Sequence, residues 1–548
     1  MCRKLILLCL LSALISSSAS ATQYAYRVNF SNKNGTLAFS DSLSFLSPRA
    51  MARRDMQGIV LDSTDLPVTA AYVDSVLTLT GGKLHEVSKW MNLCVILIND
   101  STQIHALDGK AFVSSVKLVG YYATSLHRQG NTTHTLPAGK TTSGGSSYFG
   151  YTWDQTMLVN GNYLSDNGYT GNGKLIAVID AGFWYTDTHP GFDSLRAGGI
   201  VDVHNFTLDT SFVYAYDTHG TSVLSTMAGN VPTAFVGSAP HAQYALYVSE
   251  DDNSEQPIEL LNMLCAAERA DSLGADIITS SLGYDTFDDP TNDFVFATDF
   301  DGKTTVAARA ANMATQKGML FVASAGNEGG GSWNSILTPG DADSALTIGS
   351  VDITGTNAPT SGFGPNAAGQ IKPDVCGLGH NAYIFTESGY AEEDGTSFST
   401  PQIAGWAACL WESTPTAGPA RIRRAIIQCA NHFSDPGTQI GYGIPDLGCS
   451  KTIINTLDTP LPLTNNLVIS VSNPAYSILS ITVTVPEHQN IDFSMLDMTG
   501  REVARFTHTF DKGKNTPVQY DIAVMPAGMY LLKAVSATHQ QTIKVVKE

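Results

Sequence analysis

The chain has 548 residues, 43% of them hydrophobic and 15% charged, enough at roughly 150 residues per domain for three or four domains with buried cores and too apolar for a disordered tail. Asp and Glu number 50 against 31 Lys and Arg, a net charge of −19 that excludes a general binder of nucleic acid or anionic membrane, since either needs a basic face.

Residues 1–21 read as a secretory signal peptide: Arg3 and Lys4 precede an apolar run over 5–15, and Ala19-Ser20-Ala21 offers a small-residue cleavage site. No later stretch reaches the roughly 20 apolar residues of a membrane span. Residues 22–120 form a small α+β unit: 24–30 alternates like a strand, 47–57 is a basic helical run, and 93–98 and 112–119 read as further strands. Residues 121–147, rich in Ser, Thr and Gly, read as an exposed, flexible linker. Over 148–455, short apolar runs at 174–179, 275–280, 319–324 and 345–351 alternate with helical runs at 258–273 and 399–411, and Gly274 stands where a helix ends. This is the pattern of a three-layer α/β domain with a parallel sheet. Residues 465–548 lose helical periodicity and show alternating runs between Pro and Gly turns, a small β-sandwich. Cys2 and Cys9 lie in the leader, and the remaining six cysteines form no CxxC pair, so they read mostly as buried thiols with one disulfide left open and no zinc site.

Four segments carry chemistry. Asp180 ends the apolar run IAVID and is followed by Ala181-Gly182; a carboxylate at the tip of a buried parallel strand faces the crevice where such sheets bind ligands. His219-Gly220-Thr221 opens a helical run, and Gly220 allows close backbone approach; the nearness of Asp217 in sequence reads as incidental. Asn327 lies in the turn Ala325-Gly326-Asn327-Glu328-Gly329 after a strand, where an amide can donate to an oxyanion. Ser397 lies in Gly395-Thr-Ser397-Phe-Ser-Thr-Pro401, a loop-to-helix junction that exposes its Oγ beside a positive helix end. Pro401 is expected in the first helical turn, and Thr396 or Ser399 as the capping residue.

In this order the segments resemble the subtilases, the subtilisin-like serine peptidases, whose chain order is Asp, His, Ser. The resemblance covers 148–455 and includes Ser280-Ser-Leu-Gly283, Gly237-Ser-Ala-Pro240, Ile371-Lys-Pro-Asp374 and His189-Pro190. It departs at Ala181, where Ser or Thr is usual, and at Phe398-Ser399, where Met-Ala is usual. The resemblance implies a subtilisin-like parallel sheet and an endopeptidase in which Ser397 attacks the peptide carbonyl, His219 carries the proton, Asp180 orients the imidazole and Asn327 holds the oxyanion. It also implies a substrate strand along Ser280, Ser281, Leu282 and Gly283, and a specificity pocket lined by Ala323, Ser324, Ala325 and Gly326. The small side chains there imply an open, uncharged pocket.

The segments 47–59, Asp65-Leu-Pro-Val68 and Ser88-Lys-Trp-Met-Asn92 are similar to the N-terminal domain of secreted Bacteroidetes subtilases, which implies a propeptide and a zymogen. Leu496-Asp497, Gly500-Arg501, Pro526-Ala-Gly528-Met-Tyr530 and the last six residues resemble the sorting domain of type IX secretion, which implies that machinery as a partner. The protein is then expected to be secreted or held at the cell surface, and monomeric. Its substrates are proteins or peptides, with no nucleic acid and no cofactor. Calcium stabilises some subtilases, but no motif here makes a clear site, and Asp251-Asp252 and Asp288-Asp289 read as solvated charge. Two other readings are an inactive subtilase-fold binding module, against which the intact catalytic set counts, and an α/β-hydrolase esterase, which would need GxSxG and the order Ser, Asp, His.

Overall fold

The computed structural model describes residues 23–122, 148–455 except 216, 252 and 332–334, and 468–547 except 472–474, 486–487, 498–500, 512, 515–517 and 537–539. The segments expected to be a signal peptide and a linker, 1–21 and 123–147, and the tip of the 496–501 motif lie outside them. The chain divides after Ile454 into two compact units, each described by itself.

The first unit opens with strand β1 (Gln23–Phe30), helix α1 (Pro48–Gln57), helix α2 (Ala70–Thr80) and strands β2 (Lys83–Ser88), β3 (Leu93–Ile98) and β4 (Val113–Tyr122). The strands make an antiparallel sheet in the order β2-β3-β1-β4. α1 starts where the sequence expects: Ser47 Oγ accepts the Ala50 N–H, Pro48 fills the first helical position, and Gly58 at φ 67° ends the helix. β3 is buried along its whole length because it is covered on both faces. Cys94, Ile96 and Ile98 pack in the unit's own core, while Leu93, Val95 and Leu97 join a second core shared with the next domain.

That domain is built on seven parallel strands: β5 (Leu175–Asp180), β6 (Ile200–Asn205), β7 (Gln243–Val248), β8 (Ile277–Ser280), β9 (Leu320–Ser324), β10 (Leu346–Val351) and β11 (Val375–Leu378), ordered β11-β10-β9-β8-β5-β7-β6. Helix α3 (His219–Ala228) follows β6, α4 (Pro257–Leu273) follows β7, and α5 (Val306–Gln316) precedes β9. Alternate residues of the strands, such as Ala177, Ile179, Phe321 and Ala323, share a core with α4 and α5, so these strands read as continuous apolar runs. Gly274 ends α4 at φ 95°.

Helix α6 runs Thr396–Glu412, three residues earlier than its apolar pattern implies, so Ser397 is inside the helix and Pro401 lies beyond the first turn. Pro401 removes the N–H that would bond to the Ser397 carbonyl four residues back. The Ser281 hydroxyl donates to that carbonyl instead, at 2.9 Å. The helix is preceded by Gly395, and neither Thr396 nor Ser399 caps it: their hydroxyls donate to Asn327 and to the Thr396 carbonyl. Cys429 pairs with Cys449, and Cys94, Cys265, Cys376 and Cys409 are free and buried. No helix among the described residues is long and apolar enough to cross a membrane.

The second unit is a sandwich of two four-stranded sheets, one ordered around Ile478–Val485 and the other around Gln489–Asp497 and Gly528–Val535. Its own core includes Leu479, Ile481, Phe493, Met495 and Leu532. Two of the tail motifs are local turns: Arg501 Nε donates to Asp497 Oδ2 at 3.1 Å, and the Tyr530 hydroxyl donates to the Pro526 carbonyl at 2.8 Å.

Candidate active site

The C-terminal tips of β5 and β9 and the starts of α3 and α6 meet in one crevice. Asp180 is the last residue of β5 and is fully buried; its Oδ1 accepts the Ala181 N–H at 2.9 Å and lies 2.7 Å from His219 Nδ1. The imidazole remains about a third exposed. A buried carboxylate on Nδ1 holds the ring in the tautomer whose Nε2 can accept a proton. Asp217, the nearer acid in sequence, does other work: its carboxylate accepts the His219 backbone N–H at the start of α3. Gly220 permits the meeting, because a Cβ there would overlap the Gly182 carbonyl and touch Asp180 Cβ at 3.0 Å. Ala181 offers no hydroxyl, and the buried Asp180 Oδ2 has no hydrogen-bond donor among the described residues.

Asn327 is oriented by the neighbour of the serine. Thr396 donates to Asn327 Oδ1 through its N–H at 2.9 Å and its hydroxyl at 3.0 Å. The amide oxygen is thus held by donors, which leaves Nδ2 for another acceptor. Asn327 Nδ2 and the Ser397 N–H converge: each nitrogen is 3.6 Å from the point that a Cβ on Gly395 would occupy. Gly395, at φ 154°, keeps that point empty. Two donors that flank one empty point can stabilise an anion there. Ser397 Oγ sits at the same helix start, 3.3 Å from the Ser281 carbonyl.

A cavity of about 710 Å³ opens along His219 and Asn327. Ser281, Leu282, Gly283, Ser324 and Gly326 line it. Ser280, Ala323 and Ala325 do not; they are fully buried, Ala323 in the core under α4 and α5 and Ala325 against Phe300 and Ile336. The strand's two-residue alternation is the reason: if 324 and 326 face the cleft, 323 and 325 face the interior. The cavity is not uncharged. Leu337 packs where a Gly326 side chain would stand, 2.5 Å from that Cβ position. One wall is acidic, formed by Glu250, Asp251, Glu255, Glu259 and Asp288.

Sequence reasoning missed that wall; its signal was the segment SEDDNSEQPIE over 249–259, directly after the tip of β7, where a parallel sheet binds ligands. Burial, with the nearby charges of Glu250, Asp285 and Asp288, pushes the Glu255 carboxyl up to about 8. Burial, with Glu250 and Glu255, pushes Glu259 up to about 10, against hydrogen bonds from the Asp251 and Gln256 N–H groups. Glu250, Glu255 and Glu259 bring three oxygens within 4.8 Å of one another; Glu86, His204 and Asp209 are the other described group able to hold a cation.

Comparison with known proteins agrees with this geometry. Residues 171–444 match the model of the subtilase family, 25–135 the peptidase S8 propeptide domain of Bacteroidota, and 472–548 a secretion system C-terminal sorting domain. The chain is 29% identical over 302 residues to the thermophilic serine proteinase of Bacillus sp. (strain AK1), covering 54% of this chain and 63% of that protein. It is 27% identical over 281 residues to subtilisin DY of Bacillus licheniformis, covering 51% of this chain and 91% of that one. The match thus spans less than two thirds of the first relative. The crystal structure of the epidermin leader peptide processing serine protease from Staphylococcus aureus shares the fold, with a TM-score of 0.52 at 17% identity over 79% of this chain and 99% of that one. A family model that takes in half of the chain, from the strand carrying Asp180 to beyond the helix carrying Ser397, places it among the serine peptidases: the chain belongs to the subtilase family.

Proposed function

We propose that the protein is an exported endopeptidase working through Asp180, His219 and Ser397, with Asn327 in the oxyanion hole. The observation that carries this is the pairing of buried Asp180 with His219 at 2.7 Å beside two donors that converge on one empty point. Ser397 Oγ attacks the scissile carbonyl while His219 Nε2 takes its proton. The tetrahedral oxyanion is held by Asn327 Nδ2 and the Ser397 N–H. His219 then gives the proton to the leaving amine, and water repeats the sequence on the acyl-enzyme. Asp180 stays ionised and stabilises the imidazolium between the two transfers. An extended substrate would lie along Ser281, Leu282 and Gly283, adding its backbone as a strand. The 23–122 unit is the propeptide, removed by cleavage in the following linker, and the 465–548 unit addresses the enzyme to type IX secretion.

The test is Ser397→Ala in the purified protein, with casein hydrolysis and labelling by a serine-directed phosphonate as readouts. Loss of the nucleophile costs about 10⁶ in kcat in subtilisin, a member of the same family. The variant is expected to fold, to leave casein intact and to take no label. More than a trace of activity would remove Ser397 from the role. A wild-type protein that neither cleaves nor labels would return the binding-module reading.

A further inference from the structure

We propose that Glu86, His204 and Asp209 form a binding site for a zinc-class divalent transition-metal ion at the seam between the N-terminal unit and the catalytic domain. Glu86 comes from β2, the edge strand of the first sheet, and His204 from β6, the edge strand of the parallel sheet. Asp209 follows β6 in a turn closed by Asn205, whose N–H donates to the Thr210 carbonyl at 2.7 Å and whose carbonyl accepts the Thr210 N–H at 3.2 Å. The register of β2 on β3 shifts between Leu84 and Glu86, and such a bulge re-aims side chains. His85 turns to Asn262 of α4, and Glu86 turns to His204.

One ligand atom from each of the three lies within 4.8 Å of the others. His204 Nε2 is 3.9 Å from Glu86 Oε1 and 3.8 Å from Asp209 Oδ1. These separations exceed a hydrogen bond from a ring nitrogen, which spans about 2.7–3.2 Å. They suit two atoms bound to one ion: bonds of about 2.0–2.2 Å set two donors roughly 3.4 Å apart at the tetrahedral angle and roughly 4 Å apart at wider angles. The Glu86 side chain is 13% exposed and the His204 ring 15%, yet among the described residues neither takes part in a hydrogen bond, and no Lys or Arg pairs with Glu86 or Asp209. Asp202, two residues before His204 on the same strand, shows the contrast: Arg269 meets it at 2.6 Å. A carboxylate withdrawn from water is costly unless it is paired or binds a metal. An imidazole beside two carboxylates selects a zinc-class ion over calcium or magnesium, which take oxygen ligands, and leaves the fourth position to water. Two ligands belong to the catalytic domain and one to the N-terminal unit, so the ion clasps the two together. On the reading of that unit as a propeptide, the ion favours the docked form by the factor one plus its concentration over Kd, about 100-fold at 100 times Kd.

The test uses the full chain carrying Ser397→Ala, without a histidine tag, shown uncleaved by intact mass and stripped with a chelator. Zinc ion alone is the probe, titrated in competition with a chromophoric chelator. One ion per chain is expected, with a Kd in the micromolar range or tighter. Glu86→Gln and His204→Gln should each raise Kd at least tenfold, while Glu255→Gln, in the other group of carboxylates, should leave it unchanged. Cobalt in place of zinc should give a visible absorption band that His204→Gln shifts or abolishes. Zinc should also raise the thermal midpoint of the parent chain, and Glu86→Gln should remove that rise. Where Glu86→Gln lowers the midpoint in chelator, His204→Gln and Asp209→Asn, on the catalytic side of the seam, decide by the same titration. Zinc binding weaker than about 1 mM overturns the site. So does displacement of zinc by an equal concentration of calcium, or affinity untouched by Glu86→Gln or by His204→Gln. None of these results bears on the endopeptidase reading, because no step of that mechanism uses the ion.

Discussion

Asn327 has its oxygen committed and its nitrogen free, and the two donors that commit it belong to Thr396, the residue next to the nucleophile. In the proposed mechanism the same dipeptide supplies the attacking hydroxyl, one oxyanion donor and the support of the other. Asn327→Ala should lower kcat with little change in KM, because the amide bonds an oxyanion that exists only in the transition state and intermediate. The loss expected is roughly 10²–10³-fold, the cost of one such donor in subtilisin. Steady-state kinetics on a single peptide substrate checks it, and an unchanged kcat would take Asn327 out of the mechanism. Asp180 was legible in the sequence as a strand-tip carboxylate, and so was the close approach that Gly220 allows. That the imidazole pairs with Asp180 and leaves Asp217 to the helix start was expected only because triad partners come from distant segments; the fold supplies the reason, in the crossing of β5 and α3.

Helix α1 and the loop after it dock on α4 and the end of α5 through charges that are almost wholly buried. Arg54 bridges Asp65 at 2.9 Å and Asp271 at 2.8 Å, Arg53 meets Asp271 at 2.5 Å, and Lys317 meets Asp65 at 2.9 Å. Glu268 of α4 accepts the Ser88 hydroxyl and the N–H groups of Lys89 and Trp90. The three propeptide-like segments read in the sequence are the ones that supply these residues: Arg53 and Arg54 come from 47–59, Asp65 from DLPV and Ser88 to Trp90 from SKWMN. Burial outweighs Lys89 and these hydrogen bonds and pushes the Glu268 carboxyl up to about 7 from its usual 4.5. A carboxyl raised in the docked state binds a proton more tightly there than when exposed. Its contribution is therefore fully present below about pH 4.5 and lost as pH rises through about 7. The shift corresponds to something on the order of 3 kcal/mol. In the unprocessed Ser397→Ala protein, Glu268→Gln should flatten this part of the dependence of the unfolding midpoint on pH between 4.5 and 7. Calorimetry on the two proteins measures it; parallel curves would show that Glu268 does not titrate at the interface.

The unit beginning at Asn455 has its own hydrophobic core and holds none of the four reacting groups. Its match to a secretion system C-terminal sorting domain indicates export. Removing residues 465–548 should leave peptidase activity in vitro near that of the full chain and retain the protein in the periplasm. Cell fractionation with an activity assay decides: truncated enzyme in the medium or on the surface would refute sorting, and loss of activity or solubility would make the unit an accessory of the enzyme.

Local signals in the sequence carried far in this protein. Buried strands betray themselves as apolar runs, one helix end by Gly274, and the candidate catalytic groups by glycine-flanked positions at strand and helix ends. These depend on neighbours a few residues away, which the sequence displays side by side. What it could not display were contacts closed over long loops. The Ser281 hydroxyl replaces the Pro401 N–H across 116 residues of chain, so α6 starts earlier than its apolar pattern. Cys429 finds Cys449 only because two helices meet. Whether residue 323 or 324 faces the cleft is a matter of pleat, settled when β9 is registered between β8 and β10. The acidic wall exists because the 249–259 segment lines the crevice, where burial and neighbouring carboxylates push the Glu255 and Glu259 carboxyls up.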